Sequence, residues 1–148
     1  MDDCIFCRII KKHEPSIVVY EDQHSIAFLD HYPLNPGHTL VLTKKHYTIL
    51  DEMPPREVGE LFTSVAKVMK GVRKVSKADG INIGQSNGRA ASQEVFHVHV
   101  HVIPRYNKDS PDGLSFPERK KMSLAEREDV GKRVRKAIEE EATYFCLL

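Results

Sequence analysis

The 148-residue sequence has no tryptophan, an absence that by itself excludes nothing. Other shortages are more useful. No apolar run reaches the roughly 18 residues of a membrane-spanning helix, so no membrane partner is expected. Neither sign of charge dominates, because 22 Lys and Arg face 21 Asp and Glu. A nucleic-acid binder needs a basic excess on some face, so the balance argues against nucleic acid as a partner. The three cysteines do not suggest a disulfide framework. The acidic start Met1-Asp2-Asp3-Cys4 lacks the basic stretch of a signal peptide, and the expected compartment is the cytoplasm. Neither a P-loop nor a dinucleotide fingerprint occurs, which weighs against kinase and dehydrogenase chemistry.

What is present suffices for one core, with 41% apolar residues and no low-complexity tract. Ser16–Tyr20, His24–Leu29 and His38–Thr43 read as short strands, with a turn cluster of Pro33, Asn35, Pro36 and Gly37 before the third. From Pro55 to Lys77 the period changes. Val58, Leu61, Phe62, Val65, Met69 and Val72 recur at spacings of three and four, which predicts an amphipathic helix ended by Asp79-Gly80. Ile81–Ile83 reads as a short strand and Gly84–Glu94 as a loop. Val95–Ile103 is the clearest strand, with Pro104 as its stop. Ser123 and Glu126 form a capping box that opens a last helix with Val130, Val134, Ala137 and Ile138 as its stripe. Tyr144–Leu148 is apolar and carries no assignable pattern. The expected fold is α+β: an antiparallel sheet of about five strands, one long helix packed on it, and a C-terminal helix.

Histidine occurs eight times, and three copies lie in Phe96-His97-Val98-His99-Val100-His101-Val102-Ile103. Side chains of a strand alternate faces, so Phe96, Val98, Val100 and Val102 are expected in the core and the three imidazoles on the opposite face. A half-exposed strand that carries histidine by chance is one reading. A zinc hydrolase is a second, since histidines at i and i+2 can converge on a metal. The third is nucleophilic catalysis by the middle imidazole, whose neutral form is competent at pH 7 when one nitrogen is held as N–H. The Gly- and Ser-rich loop Gly84–Glu94 favours the third reading on a phosphate ester, because small residues let backbone N–H groups approach an anion. Cys4-x-x-Cys7 is open between a redox pair, a metal half-site and coincidence; no strand precedes it, as a redox pair would require.

Gln93 and His-Val-His-Val-His-Val-Ile resemble the motif of the histidine triad superfamily of nucleotide hydrolases and transferases. The resemblance extends to Cys4–Ile10, Ala27–Asp30, Pro36–Val41 and Lys44-Lys45-His46, and covers residues 4–106 in order; residues 107–148 then form a C-terminal extension with a helix near 123–142. The resemblance implies that His99 attacks the α-phosphorus of a purine nucleoside phosphoramidate or dinucleoside polyphosphate, and that water then releases the monophosphate from a nucleotidyl-histidine. It makes His101 a phosphate contact and proton-transfer group, and His38 its hydrogen-bond partner. Asp30 matches the ribose-binding position, and Phe6, Ile9 and Leu29 the base pocket. Gln93 matches a residue near the phosphate or leaving group.

Ser86 stands where the family often has Asn or Gln, so either Ser86 or Asn87 takes that task; Ser92 stands where Gly is common. Val98 replaces the proline of the transferase branch. The N-terminal cysteines resemble microbial members that bind a structural zinc, here through Cys4, Cys7, His46 and His97. A homodimer pairing the long helices is also implied. The competing functions are a nucleotide-binding adaptor with negligible turnover and a water-activating zinc hydrolase. His13, His24 and His31 read as surface residues.

Overall fold

A computed structural model describes residues 3–112 and 114–145. Five strands, β1 (Val18–Glu21), β2 (Ser25–Leu29), β3 (Thr39–Thr43), β4 (Gly80–Gly84) and β5 (His99–Arg105), form one antiparallel sheet in the order β1-β2-β3-β5-β4. Three α-helices among the described residues accompany it: α1 (Ile5–Ile10), α2 (Pro55–Ser76) and α3 (Leu124–Phe145). The expected α+β architecture is what the chain forms. Of the apolar tail, Cys146, Leu147 and Leu148 lie outside the described residues. No helix among the described residues is long and apolar enough to cross a membrane.

Every residue of β2 and β3 is buried, because both faces of the sheet are covered. Ala27, Leu29, Val41, Val100 and Val102 face the main core with Leu61, Val65, Val68 and Val72 of α2. The alternate residues Ile26, Phe28, Leu40 and Leu42 face the other way and pack with Phe6 of α1. The stripe read from the sequence is mostly correct for α2, but Phe62 is 37% exposed and Val68 takes the buried place. The capping box forms: the Ser123 N–H donates to Glu126 Oε2 at 2.7 Å and the Glu126 N–H to Ser123 Oγ at 3.2 Å.

Two expectations need correction. The strand read as Val95–Ile103 begins at His99 and continues through Pro104 to Arg105. Phe96 lies before it and is 38% exposed, beneath the Arg89 guanidinium rather than in the core. Pro104 is tolerated because β3 pairs with β5 only as far as Val102. A residue's N and C=O face the same side of a strand, and the Pro104 carbonyl accepts from Asn35 Nδ2 at 2.9 Å, just ahead of β3. The missing N–H therefore falls where the neighbouring strand has already ended. The second correction is α1, which the sequence did not announce: it spans six residues and no side chain caps its N-terminus.

The C-terminal helix is built into the core. Val130, Val134, Ala137 and Ile138 are all buried. Two glycines permit this approach. A Cβ on Gly71 of α2 would stand 2.4 Å from Ile138 Cγ1, 3.2 Å from the Ile138 backbone N and 3.3 Å from the Val134 O. A Cβ on Gly131 would meet Ile17 Cγ2 at 2.3 Å. Gly71→Ala gains helix propensity of about 1 kcal/mol. The clash includes backbone atoms that cannot turn away, so overpacking prevails and the net loss is about 1–3 kcal/mol. A Tm lower by several degrees in thermal unfolding is the expected outcome; an unchanged or higher Tm would show that α2 and α3 separate without cost.

Candidate active site

The central place of β5, between β3 and β4, puts His99 and His101 on the sheet face that α1 covers. Phe6 stands edge-on to His99, with ring centroids 5.1 Å apart. His97, just before the strand, is fully buried. The partners of each imidazole decide its tautomer, because a backbone N–H can only donate and a carbonyl can only accept.

The Leu34 N–H donates to His38 Nδ1 at 3.1 Å, so the proton of His38 is on Nε2. That Nε2–H donates to His101 Nδ1 at 2.9 Å, which places the proton of His101 on Nε2 as well. His99 donates its Nδ1–H to the His97 carbonyl at 2.6 Å, leaving a lone pair on Nε2. His97 donates from Nε2 to the Thr43 carbonyl at 2.7 Å, so its Nδ1 lone pair is turned to the sulfurs of Cys4 and Cys7, each 3.6 Å away. The start of β5 and the residues just ahead of it thus carry two chemistries: His97 looks back to the cysteines, and His99 and His101 look into a cleft.

Three of the cleft imidazoles, His38, His99 and His101, are held below the ordinary histidine range. Burial is the leading cause in each case. It pushes His38 down to about 3, assisted by the Arg119 guanidinium. It pushes His101 down to about 4, assisted by His38 and His99. His99 is lowered too, against the opposing pull of its carbonyl partner and Asp30.

The cleft has a volume of about 1060 Å³. Phe6, Ile9, Phe28 and Leu29 supply an apolar part of its wall, and Asp30, His38, His99 and His101 polar groups. Phe6 and Phe28 meet edge to face with centroids 5.6 Å apart. Asp30 accepts from the Tyr32 N–H at 2.8 Å through Oδ1; its Oδ2 lies 3.5 Å from both His38 Nε2 and an Arg119 nitrogen. Asp30, His38 and His101 bring ligand atoms within 4.8 Å of one another. The 2.9 Å spacing of the two imidazole nitrogens makes this group a hydrogen-bonded relay.

Of the loop residues, Ser86 and Ser92 line the cleft. Asn87 is not among the lining residues; its Oδ1 accepts from the Leu50 N–H at 2.8 Å and it is bonded to Gln85. Gln93 is 3% exposed and its amide braces the loop, accepting from the Gly88 N–H at 2.7 Å and donating to the Thr48 and Val95 carbonyls. His13 and His24 are exposed as expected, whereas exposed His31 also lines the cleft. Phe28, Phe116, Arg119 and Arg127 line it without having been singled out in the sequence. The last three come from the segment after Asn107, whose first part has no period and whose helix was read only for its apolar stripe.

Behind the cleft, Cys4, Cys7, His46 and His97 gather their two sulfurs and two ring nitrogens within 4.8 Å. Cys7 Sγ stands 3.3 Å from His46 Nδ1 and 3.6 Å from His97 Nδ1. A tetrahedral zinc with Zn–S of about 2.3 Å and Zn–N of about 2.0–2.1 Å separates S from N by about 3.6 Å. The donor set and its spacing fit a closed four-ligand metal site. The Thr43 carbonyl on His97 Nε2 supplies the outer hydrogen bond that fixes a metal-binding tautomer.

Comparison with known proteins agrees with this geometry. The HIT domain family model matches residues 11–108, and the chain belongs to the HIT family. An uncharacterized HIT-like protein of Methanocaldococcus jannaschii is 50% identical over 123 residues, 83% of this chain and 94% of that protein. Adenylylsulfatase HINT3 of Arabidopsis thaliana is 39% identical over 73% of this chain and 55% of its own length. Adenosine 5′-monophosphoramidase HNT1 of Saccharomyces cerevisiae is 41% identical over 75% and 66% respectively. Among solved structures, a zinc-bound histidine triad family protein of Mycobacterium smegmatis superposes with a TM-score of 0.85 at 36% identity, covering 97% of this chain and 98% of that one.

The buried His38–His101 pair makes stability depend on pH. An unfolded histidine binds a proton below about 6.5, while these two resist protonation until about 3 and about 4. Between those limits the unfolded chain holds more protons, so stability rises with pH there and falls as the solution is acidified. The expected loss from pH 7 to pH 4 is on the order of 3 kcal/mol per imidazole, at 1.36 kcal/mol per pH unit. Denaturant titrations at pH 7, 6, 5 and 4 should show the midpoint falling below pH 6.5. Replacing both His38 and His101 by Gln should make this dependence shallower, with buried His97 and His99 supplying the remainder; an equally steep fall in that variant would assign it to other groups.

Proposed function

We propose that this protein is a nucleotide hydrolase that cleaves at the α-phosphorus of purine nucleoside phosphoramidates or dinucleoside polyphosphates. The observation that carries the reading is the His99 tautomer: Nδ1–H is spent on the His97 carbonyl at 2.6 Å, so Nε2 holds a lone pair in the cleft. Its attack forms an N–P bond while the bond from phosphorus to the leaving group breaks. The His97 carbonyl then steadies the positive charge that builds on the ring. His101 hydrogen-bonds the leaving group through its Nε2–H and passes that proton on as the bond breaks; the water of the second step returns a proton to the same nitrogen, and the His38 Nε2–H holds His101 in this tautomer. Water next displaces the ring nitrogen and releases the nucleoside monophosphate.

Phe6, Ile9, Phe28 and Leu29 supply the apolar slot for the base, and the Asp30 carboxylate accepts from the ribose diol. Ser86 and Ser92 offer hydroxyl donors to the phosphate. The relatives named as a phosphoramidase and an adenylylsulfatase support hydrolysis of an adenylate derivative. A zinc ion bound by Cys4, Cys7, His46 and His97 is structural: it ties the N-terminal segment that carries Phe6 and Ile9 to the strand that carries His99. A homodimer pairing α2 with its copy would cover exposed Phe62, and the cytoplasm would keep the thiols reduced.

Replacing His99 by Asn removes the covalent route outright, and kcat should fall on the order of 10⁴-fold. Steady-state assays on adenosine 5′-phosphoramidate and diadenosine polyphosphates, with acid-quench trapping of the labelled adduct, test this directly. A variant that keeps a tenth of the activity, or an adduct on His97 or His101, would remove the covalent assignment. For the metal, protein purified without added zinc should contain about one equivalent per chain. The Cys4→Ser, Cys7→Ser double variant should lose it. Chelation should lower Tm before it touches turnover, because the ion stabilises the fold by linkage. Metal content below a tenth of an equivalent, with full stability in the double variant, would leave the cysteines as buried apolar residues.

A further inference from the structure

One wall of the cleft comes from outside the part of the chain that the HIT domain matches. Phe116, Arg119, Leu124, Arg127 and Glu128 all lie beyond residue 108 and all line it. Arg119 and Arg127 are the only arginine or lysine side chains in the lining among the described residues. These two guanidiniums are therefore permanent positive charges in the cleft wall. The opposing carboxylates there are Asp30, Glu94 and Glu128.

Arg119 donates to the Tyr32 carbonyl and stands 3.5 Å from Asp30 Oδ2. Arg127 donates to His31 Nδ1 at 2.9 Å, while its Nε–H is shut off from solvent and has no acceptor among the described residues. His31 and Tyr32 directly follow Asp30, so both guanidiniums converge on the segment just past the ribose carboxylate. A lone carboxylate beside a ribose reads a free hydroxyl, and an arginine there accommodates a phosphate on that hydroxyl. Here both occur together. Arg119 offsets the charge of Asp30, which would otherwise repel such a phosphate, and Arg127 adds a second guanidinium to the same stretch of the lining. The volume also leaves room, since about 1060 Å³ is at the top of the range for small-molecule sites.

We propose that Arg119 and Arg127 form a second anion subsite beside Asp30, which takes a phosphate carried on the 2′- or 3′-hydroxyl of the nucleotide's ribose. The proposal rests on the reading of Asp30 as the ribose contact.

Titration calorimetry on the full chain tests it without relying on turnover. The ligands are adenosine 5′-monophosphate, adenosine 2′,5′-bisphosphate and adenosine 3′,5′-bisphosphate at fixed salt. At least one bisphosphate should bind roughly 10- to 100-fold more tightly than the monophosphate, the range of a charge-assisted hydrogen bond. In Arg119→Gln and in Arg127→Gln that ratio should collapse to within about threefold. If Arg119→Gln does not fold, Arg127→Gln, on a different element, decides alone. Bisphosphates that bind no better than the monophosphate overturn the subsite while leaving the nucleotide-hydrolase reading intact. A preference that survives in the arginine variants overturns the assignment to these residues. Failure of the monophosphate itself to bind removes the ribose reading of Asp30 and the subsite with it.

Discussion

The hydrogen bond from His97 Nε2 to the Thr43 carbonyl, 2.7 Å long and shut off from water, is the constraint on which the rest of the site depends. A buried imidazole has two nitrogens to satisfy, and this bond uses one of them as a donor. The other is left as a lone pair facing Cys4 and Cys7, which makes the metal cluster chemically possible. The same residue offers its backbone carbonyl to His99 Nδ1, which makes His99 Nε2 the basic nitrogen. One residue therefore orients both a metal-type donor set on one side and, on the other, the imidazole proposed as the nucleophile. Its own proton location is decided by the end of β3.

That arrangement needs a dry sheet face, and the fold supplies it at some cost. Carrying imidazoles where apolar residues would pack lowers their basicity, and stability must fall when acid forces protons onto them. The same burial keeps His38 and His101 in a single proton-sharing order near neutrality. A solvated histidine near its ordinary value of about 6.5 would be partly protonated at pH 7 and so partly unable to attack. The desolvation that weakens the fold in acid thus also raises the neutral fraction of the imidazole that the proposed chemistry uses.

The triad itself was legible in the sequence because strand alternation is exact: His99 and His101 fall opposite Val100 and Val102 as a period of two demands. The same regularity misled at the start of β5. The pattern runs back through Phe96, but the chain bends there, with the His97 N–H bonded to the Val95 carbonyl and the Val98 N–H to that of Tyr47. Alternation cannot reveal such a turn. Nor could the sequence separate Asn87 from Ser86, or show that the Gln93 amide is occupied by Gly88, Thr48 and Val95. Those outcomes depend on where a loop of small residues folds back, and local spacing carries no record of that. Helix α1 escaped because six residues without a cap are too short for periodicity to speak.

Arg119 and Arg127 were invisible for a different reason: their meaning comes entirely from tertiary placement. Arg127 lies on α3, four residues before Gly131, whose missing side chain lets the helix press on Ile17 and Leu29. Leu29 in turn precedes Asp30 directly. The packing that seats α3 in the core therefore also sets the distance between its arginine and the carboxylate of the cleft. A bulkier residue at 131 would push α3 away from β2 and carry Arg127 with it. The C-terminal helix is for this reason part of the site's architecture as well as of the core, and the chemistry of β5 is read through a wall that the HIT domain proper does not provide.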